Sequence, residues 1–453
     1  MAASGREEVD SGSAIGNLLS GSWELTQRNN GCPRPLQVAI GEASPAVLFD
    51  NFFKHLLSKP RYCLAFCNAN WVSRTDIFHH PTTKAPMTLI EYLRDTLPLS
   101  CEVGVVSASG IIGTVEMAFQ GHLLHCAQTM NQEILNFLEE GTEDALGRPA
   151  KRCRKEKRAE ESGEAEGKVD KVDKVDKVVC EAWKPHVGYS IEIEQNSRSM
   201  VDPDAVSLLV IPHHPGVTMK FFDISPQKFY ADYRGGKTCS HKLLITEGEF
   251  NELMCLSPCD HLTSLLLFDT CYDDNFTNGF VKAALNREDY KIALGGGVAD
   301  TYQGVKSGKC EQMTDRIFGV AVSGPNIMAA SVVIPSSVDN PKNIGRYMLM
   351  LKSCGLPEKQ SMAFMFTCCG RGHTSWLSIP KKFSYENVET KAFRRIFPNT
   401  PIFGFFGRGE IGITHLPKYP AAEGGGAGGE ASPKKRRRAF HQYTTIIVLL
   451  SFL

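Results

Sequence analysis

The chain lacks several features that would settle its class at once. Its 50 Lys and Arg are matched by 50 Asp and Glu, a formal net charge of zero, so it has neither the basic excess of a nucleic-acid binder nor the acidic excess of a solvated chain. No charged stretch followed by an apolar core opens the sequence, so no secretory leader is expected. No apolar run is long enough to cross a bilayer. The longest, YTTIIVLLSFL from Tyr443 to Leu453, falls short of a span, and its β-branched residues predict a buried strand. P-loop, HExxH, GxSxG and kinase motifs are absent. Zinc spacing is incomplete, because Cys63/Cys67 and Cys255/Cys259 have no completing pairs and the first pair lies on one face of an expected strand. Neither a metal nor a cofactor is expected. Cysteine itself is plentiful, but the 15 cysteines are scattered and odd in number, which fits free thiols in a reducing compartment better than a disulfide framework.

What remains, with 42% apolar residues over 453 positions, is enough to bury large cores. Three stretches are expected to stay unpacked: residues 1–44, polar and rich in Gly and Ser; 141–178, with three copies of Lys-Val-Asp; and 421–438, a glycine linker ending in basic residues. Two lobes are expected around them, 45–300 and 301–453.

An internal echo runs between these segments. YCLAFCNAN, PMTLIEYLRDTLP and CEVGVVSASGIIG are followed by SLLLFDTCYDD, NFTNGFVKAALN and YKIALGGGVAD, and then by MAFMFTCCGRG, VETKAFRRIFP and TPIFGFFGRGEIG. Each copy has an apolar run closing near a cysteine, an amphipathic helix, and a second apolar run closing in glycines. Phe276, Phe280, Val281, Ala284 and Leu285 repeat the helical spacing of Val388, Ala392, Phe393, Ile396 and Phe397, the one-sided stripe of a helix lying on a sheet. A mixed α/β fold of repeated strand-helix-strand units is therefore expected.

Gly407, Gly409 and Gly412 satisfy GxGxxG, but a dinucleotide site needs those glycines to open a helix. Here EIGITHLPKYP follows, which reads as a strand and then meets prolines, so the glycines call for another explanation. If the strands close at comparable points, their ends can gather Cys67, Asn68, Ser107, Ser109, Cys271, Asp273, Gly295 to Gly297, Cys368, Cys369, Arg371, Arg408 and Glu410 along one edge. Exposed amides and an arginine there can hold an anion such as a carboxylate. The alternative is that the glycines only make turns. Cys368-Cys369 invites a thiol reading beside Arg371, yet strand alternation sends one of the two into the core. Basic clusters at 151–158 and at Lys434, Lys435, Arg436, Arg437 and Arg438 suit a nuclear address, giving an expected location in nucleus and cytoplasm.

The runs FMFTCCGRG, AFRRIFPNTPIFGFFGRGEIG and FHQYTTIIVLL together resemble the FIST domain, and CEVGVVSASGIIGT with IALGGGVAD resembles its N-terminal half in wording and order. The resemblance covers about Ala46 to the end, broken by the two linkers. It implies a sensory or ligand-binding module, proposed in bacterial signalling proteins for small amino-acid-like ligands. In F-box members of the family it implies the substrate-reading half of a Skp–cullin–F-box ubiquitin ligase, hence partners among protein substrates and ligase components. Cys368, Gly370, Arg371, Gly372, Gly407, Gly409, Glu410 and Gly412 hold the matching positions, with Cys368, Arg371, Gly372, Arg408, Gly409 and Glu410 the expected contacts to a ligand or partner. The resemblance brings no catalytic residue. F-box members carry adaptor-binding helices with a Leu-Pro start and a Val-Cys-x-x-Trp-like finish, and residues 1–44 offer neither.

Overall fold

Three runs of alternating inward and outward side chains decide the architecture. In β2 (Pro60–Asn68), Tyr62, Leu64 and Phe66 join one core while Cys63, Ala65 and Cys67 join another. β10 (Leu262–Asp269) divides Leu266 and Phe268 from Leu265 and Leu267, and β16 (Ser361–Cys368) divides Phe364 and Phe366 from Ala363 and Met365. Strands buried on both faces read as continuous apolar runs. The structure, a computed structural model, describes residues 34–38, 49, 53, 59–80, 82–115, 189–194, 206–237, 242–271, 273–306, 309–338, 341–358, 360–371, 387–419 and 438–453. The expected insert 141–178 lies outside them, as does the linker 421–438 apart from Arg438.

The described residues form three six-stranded sheets and a small ribbon. Sheet I runs β1 (Arg34–Val38), β8 (Val206–Pro212), β2, β5 (Glu102–Ala108), β12 (Thr301–Lys306) and β13 (Lys309–Met313). Sheet II runs β9 (Thr218–Ile224), β14 (Ile317–Ser323), β10, β11 (Ala293–Val298), β18 (Glu410–Gly412) and β19 (Phe440–His441). Sheet III runs β15 (Ile327–Ile334), β20 (Thr445–Phe452), β16, β17 (Ile402–Gly407), β6 (Gly110–Val115) and β7 (Tyr189–Glu194). The ribbon pairs β3 (Phe78–His79) with β4 (Pro86–Met87). The helices are α1 (Ala69–Ser73), α2 (Leu89–Thr96), α3 (Pro226–Arg234), α4 (Glu247–Leu253), α5 (Asp274–Arg287), α6 (Pro341–Lys352) and α7 (Val388–Ile396). The fold is mixed α/β.

All three sheets follow one plan. A central parallel pair, β2 with β5, β10 with β11, or β16 with β17, is joined by α2, α5 or α7 and flanked on both sides by antiparallel strands. These are the three sequence echoes. Local chemistry starts each helix: Thr88 and Glu91 form a capping box for α2, the Asp273 carboxylate caps α5, and Glu192 of β7 accepts the Thr390 amide in the first turn of α7 at 2.7 Å.

The strand that leaves each pair crosses to another sheet. β6, following β5, pairs with β17; β12, following β11, pairs with β5; and β18, following β17, pairs with β11. The exchange is cyclic, and every sheet draws strands from both sides of residue 300. The inner faces of all three sheets share one core, in which Phe268 lies 5.8 Å from Phe66, 5.7 Å from Phe366 and 5.8 Å from Phe405 between ring centroids. Each outer face carries its own helices: α1 and α2 on sheet I, α3 to α5 on sheet II, α6 and α7 on sheet III. Among the described residues no helix is long and apolar enough to cross a membrane.

Candidate functional site

Where the parallel pairs end, their exit segments meet. Val298 N donates to Gly409 O at 2.9 Å, Arg408 N donates to Val298 O at 3.1 Å, and Asp300 N donates to Ser107 O at 2.8 Å. Register makes these segments equivalent, since Val106, Gly297 and Phe405 are the partners of Phe66, Phe268 and Phe366. Ser109, Asp300 and Arg408 then hold matching places beyond them. A Cβ at Gly297 would lie 2.8 Å from Gly409 O, and one at Gly407 would lie 2.8 Å from Val298 O. The glycines that mimic a dinucleotide fingerprint thus let two backbones cross.

Around this crossing the structure brings together Cys368, Cys369, Arg408, Gly409 and Glu410. Cys368 ends β16 almost fully buried, and its carbonyl accepts the Arg371 amide at 2.8 Å, closing a turn with Cys369 and Gly370 in the middle. Cys369 is exposed, and its amide donates to Gly407 O at 2.8 Å. A hydrogen bond from the Cys368 thiol holds the Cys369 thiol down at about 6, with Arg408 acting in the same direction against burial and the nearby Glu410. That same bond, then burial, pushes Cys368 well above the usual thiol range.

Glu410 opens β18 with 1% of its surface exposed. Its Oε2 accepts the Thr444 amide at 3.0 Å and the Thr444 hydroxyl at 2.7 Å, whereas Oε1 is buried with no hydrogen bond of ordinary geometry. Burial first, and then the adjacent Cys368 thiol, push this carboxyl up to about 9, so it is neutral at pH 7. Arg408 is 57% exposed and pairs with Asp300 at 2.9 Å. Burial raises Asp300 above the usual carboxylate range, and Arg408 opposes that rise. The Tyr443 ring is 60% exposed and lies over Gly370, where a Cβ would come within 2.7 Å of it.

Arg371 lies at the other side of the turn and is 4% exposed. Nε donates to Glu389 of α7 at 2.7 Å, Nη1 to the carbonyls of Pro335 and Tyr443 at 3.3 Å, and Nη2 to that of Val338 at 3.0 Å. Thr367 and Thr445 hydroxyls also bind Glu389. The guanidinium clamps α7 to sheet III, so a contact from it to a ligand requires that clamp to open. Gly372, Lys434, Lys435, Arg436 and Arg437 lie outside the described residues, and Arg438 is exposed.

The other strand-end candidates place no side chain in this cluster. Cys67 and Asn68 are buried, and the Ser107 hydroxyl bonds Thr301 Oγ1 at 2.9 Å. Cys271 and Asp273 instead line a depression of about 530 Å³ with Gln227, Asp274, Asn275 and Asp315. Asp269 lies beneath, accepting from Cys271 N and Thr277 Oγ1 at 2.8 Å, and burial pushes it up to about 7. No group of three metal-ligating side chains is found among the described residues. Sequence reasoning missed Asp300 and Thr444. Aligning IALGGGVAD on IFGFFGRG would have placed Asp300 at the Arg408 position; Thr444 left no such trace.

No family model matches the chain. Over 164 residues it is 34% identical to F-box only protein 22 of Homo sapiens, and equally to F-box only protein 22 of Pongo abelii. The aligned part is 36% of this chain and 38% of each relative, so the chain spans well under half the length of the curated relatives it matches.

Proposed function

We propose that this chain is a non-catalytic recognition protein of the F-box and FIST type, serving ubiquitin-dependent protein turnover by binding a protein substrate or partner. The observation that carries the reading is the 34% identity over 164 residues to F-box only protein 22. The strand-end cluster supports it. Tyr443 over Gly370 and Arg408 near Cys369 present exposed side chains at this turn, and Tyr and Arg are the residue types that anchor protein interfaces. Cys368, Arg371 and Glu410 hold the turn from beneath, with Gly372 next in sequence.

The test is recovery of the tagged full-length chain from cells with the proteasome blocked. Enrichment of the Skp adaptor and cullin, with other prey lost in the double variant Arg408→Glu, Tyr443→Ala, is the expected outcome. Clean absence of adaptor and cullin, while an F-box control recovers both, overturns the reading. The basic run from Lys434 to Arg438 is proposed as a nuclear address in a protein shared between nucleus and cytoplasm, and its deletion should move the tagged chain out of the nucleus.

One observation favours a second reading, a sensor of a small amino-acid-like ligand. The Oε1 of Glu410 is buried with no hydrogen bond of ordinary geometry, two residues from Arg408 of the charged pair with Asp300, and an amine or hydroxyl admitted to it would supply one. Free amino acids should then raise the unfolding midpoint of the wild type but not of Arg408→Ala. No shift with any of them removes this reading.

A further inference from the structure

The strand-end cluster holds an arrangement that recognition alone does not require. The positions equivalent to Cys368 in the other two units are Asn68, opposite Ala108 as Cys368 is opposite Gly407, and Thr270. The fold therefore does not demand sulfur there. In the third unit two thiols are adjacent, one buried and one exposed, at a turn closed by the Arg371 amide. The exposed sulfur has the Arg408 charge nearby, and the buried one has the buried Glu410 carboxyl beside it.

We propose that Cys368 and Cys369 form a hydroperoxide-sensitive dithiol, in which Cys369 is oxidised first and Cys368 resolves it. Oxidation-sensing cysteines are accessible, close to a cationic group and placed next to a resolving thiol; Cys369 is exposed, has Arg408 nearby and adjoins Cys368. In the first step the Cys369 thiolate attacks a hydroperoxide; an S–O bond forms as the O–O bond breaks, leaving a sulfenic acid and a hydroxide or alkoxide that takes a proton from water. In the second, the Cys368 sulfur attacks the Cys369 sulfur, an S–S bond forms and the S–O bond breaks. The departing hydroxide and the proton of Cys368 make water. The peroxide is reduced by two electrons and the two thiols are oxidised by two. The Glu410 carboxyl lies beside the Cys368 thiol, whose proton leaves with the departing hydroxide. Joining the sulfurs distorts the turn that positions Arg371, so the oxidised state would be felt at the clamp on α7. This inference stands independently of the ligase reading.

The experiment treats the full chain with one equivalent of hydrogen peroxide at pH 6, with and without a 1,3-dione that traps sulfenic acid, and reads each cysteine by peptide mass spectrometry. The exposed Cys255 and Cys259 are internal references. An ordinary thiol is only a fraction of a percent ionised at this pH, and the lower nucleophilicity of a more acidic thiolate takes back part of the gain, leaving Cys369 about tenfold faster. The expected product in the wild type is loss of two hydrogens from the peptide carrying both thiols, reversed by a dithiol reductant. In Cys368→Ser the dione adduct should instead accumulate on Cys369, and in the exposed-site variant Cys369→Ser the two-hydrogen loss should vanish. Oxidation of Cys369 no faster than that of Cys255 and Cys259 overturns the proposal. So does a dione adduct on Cys369 as abundant in the wild type as in Cys368→Ser.

Discussion

Glu410 has two roles that pull on its protonation in opposite directions. Its Oε2 ties the entrance of β20 through Thr444, yet burial keeps the group neutral up to about pH 9. Its carboxyl pKa is higher folded than unfolded, so its contribution is fully present below the unfolded value near ~4.3 and is lost as pH rises through about 9. Glutamine keeps an acceptor for Thr444 and carries no titrating proton. Glu410→Gln should therefore unfold at a higher temperature than the wild type at pH 8, by about 2–4 °C for each kcal/mol gained, and the difference should shrink toward pH 4.5. Equal midpoints at both pH values would show that the carboxyl is not forced neutral. Arg371 makes the opposite case, because its charge is paired. Removing one partner of such a buried pair costs about 3–5 kcal/mol, so Arg371→Met should lose that much in urea unfolding, and adding Glu389→Met should return part of it. Sequence could place Arg371 at a strand end, but its direction could not be read there: the groups that take its donors come from residues 335, 338, 389 and 443, each remote along the chain.

At the scale of elements, far more was legible, because each strand-helix-strand unit is written in one continuous stretch. The stripe Phe276, Phe280, Val281, Ala284 and Leu285 is buried on sheet II, and Val388, Phe393 and Phe397 are buried on sheet III. The terminal apolar run is the interior strand β20, between β15 and β16. The crossing of β6, β12 and β18 into neighbouring sheets was not legible, since pairing between distant strands leaves only glycines as its mark. Two substitutions separate the ordinary from the special at this level. Phe268→Ala removes a ring that touches Phe66, Phe318, Phe366 and Phe405, and the lost burial plus cavity should cost about 3–5 kcal/mol. Gly297→Ala adds one methyl against the Gly409 carbonyl, and overpacking there should cost about 1–3 kcal/mol. Both are read as a lower urea midpoint at unchanged slope. A Gly297→Ala protein as stable as the wild type would mean that the backbones do not cross as closely as described.

The cyclic exchange interlocks the three sheets of the described residues, and it also shows where along the chain 141–178 and 421–438 are inserted. In each unit the exit strand is followed by its own hairpin partner: β6 by β7, β12 by β13, β18 by β19. Residues 307 and 308 form the whole of one connection, whereas the other two connections contain 141–178 and 421–438. Low-hydrophobicity sequence is thus added where the chain leaves and re-enters one sheet by neighbouring strands, which is where added length is tolerated best. Deleting 141–178 roughly halves the connection between β6 and β7, and each halving of a flexible loop favours the folded state by about 0.6 kcal/mol. The unfolding midpoint should therefore rise slightly, by about 1–2 °C, and the transition should remain single in calorimetry with equal calorimetric and van't Hoff enthalpies. A single transition follows because no sheet can be removed without taking strands from another unit. A midpoint that falls by many degrees would show that 141–178 packs against the sheets, and a transition that splits in two would show that the interlocked strands open separately.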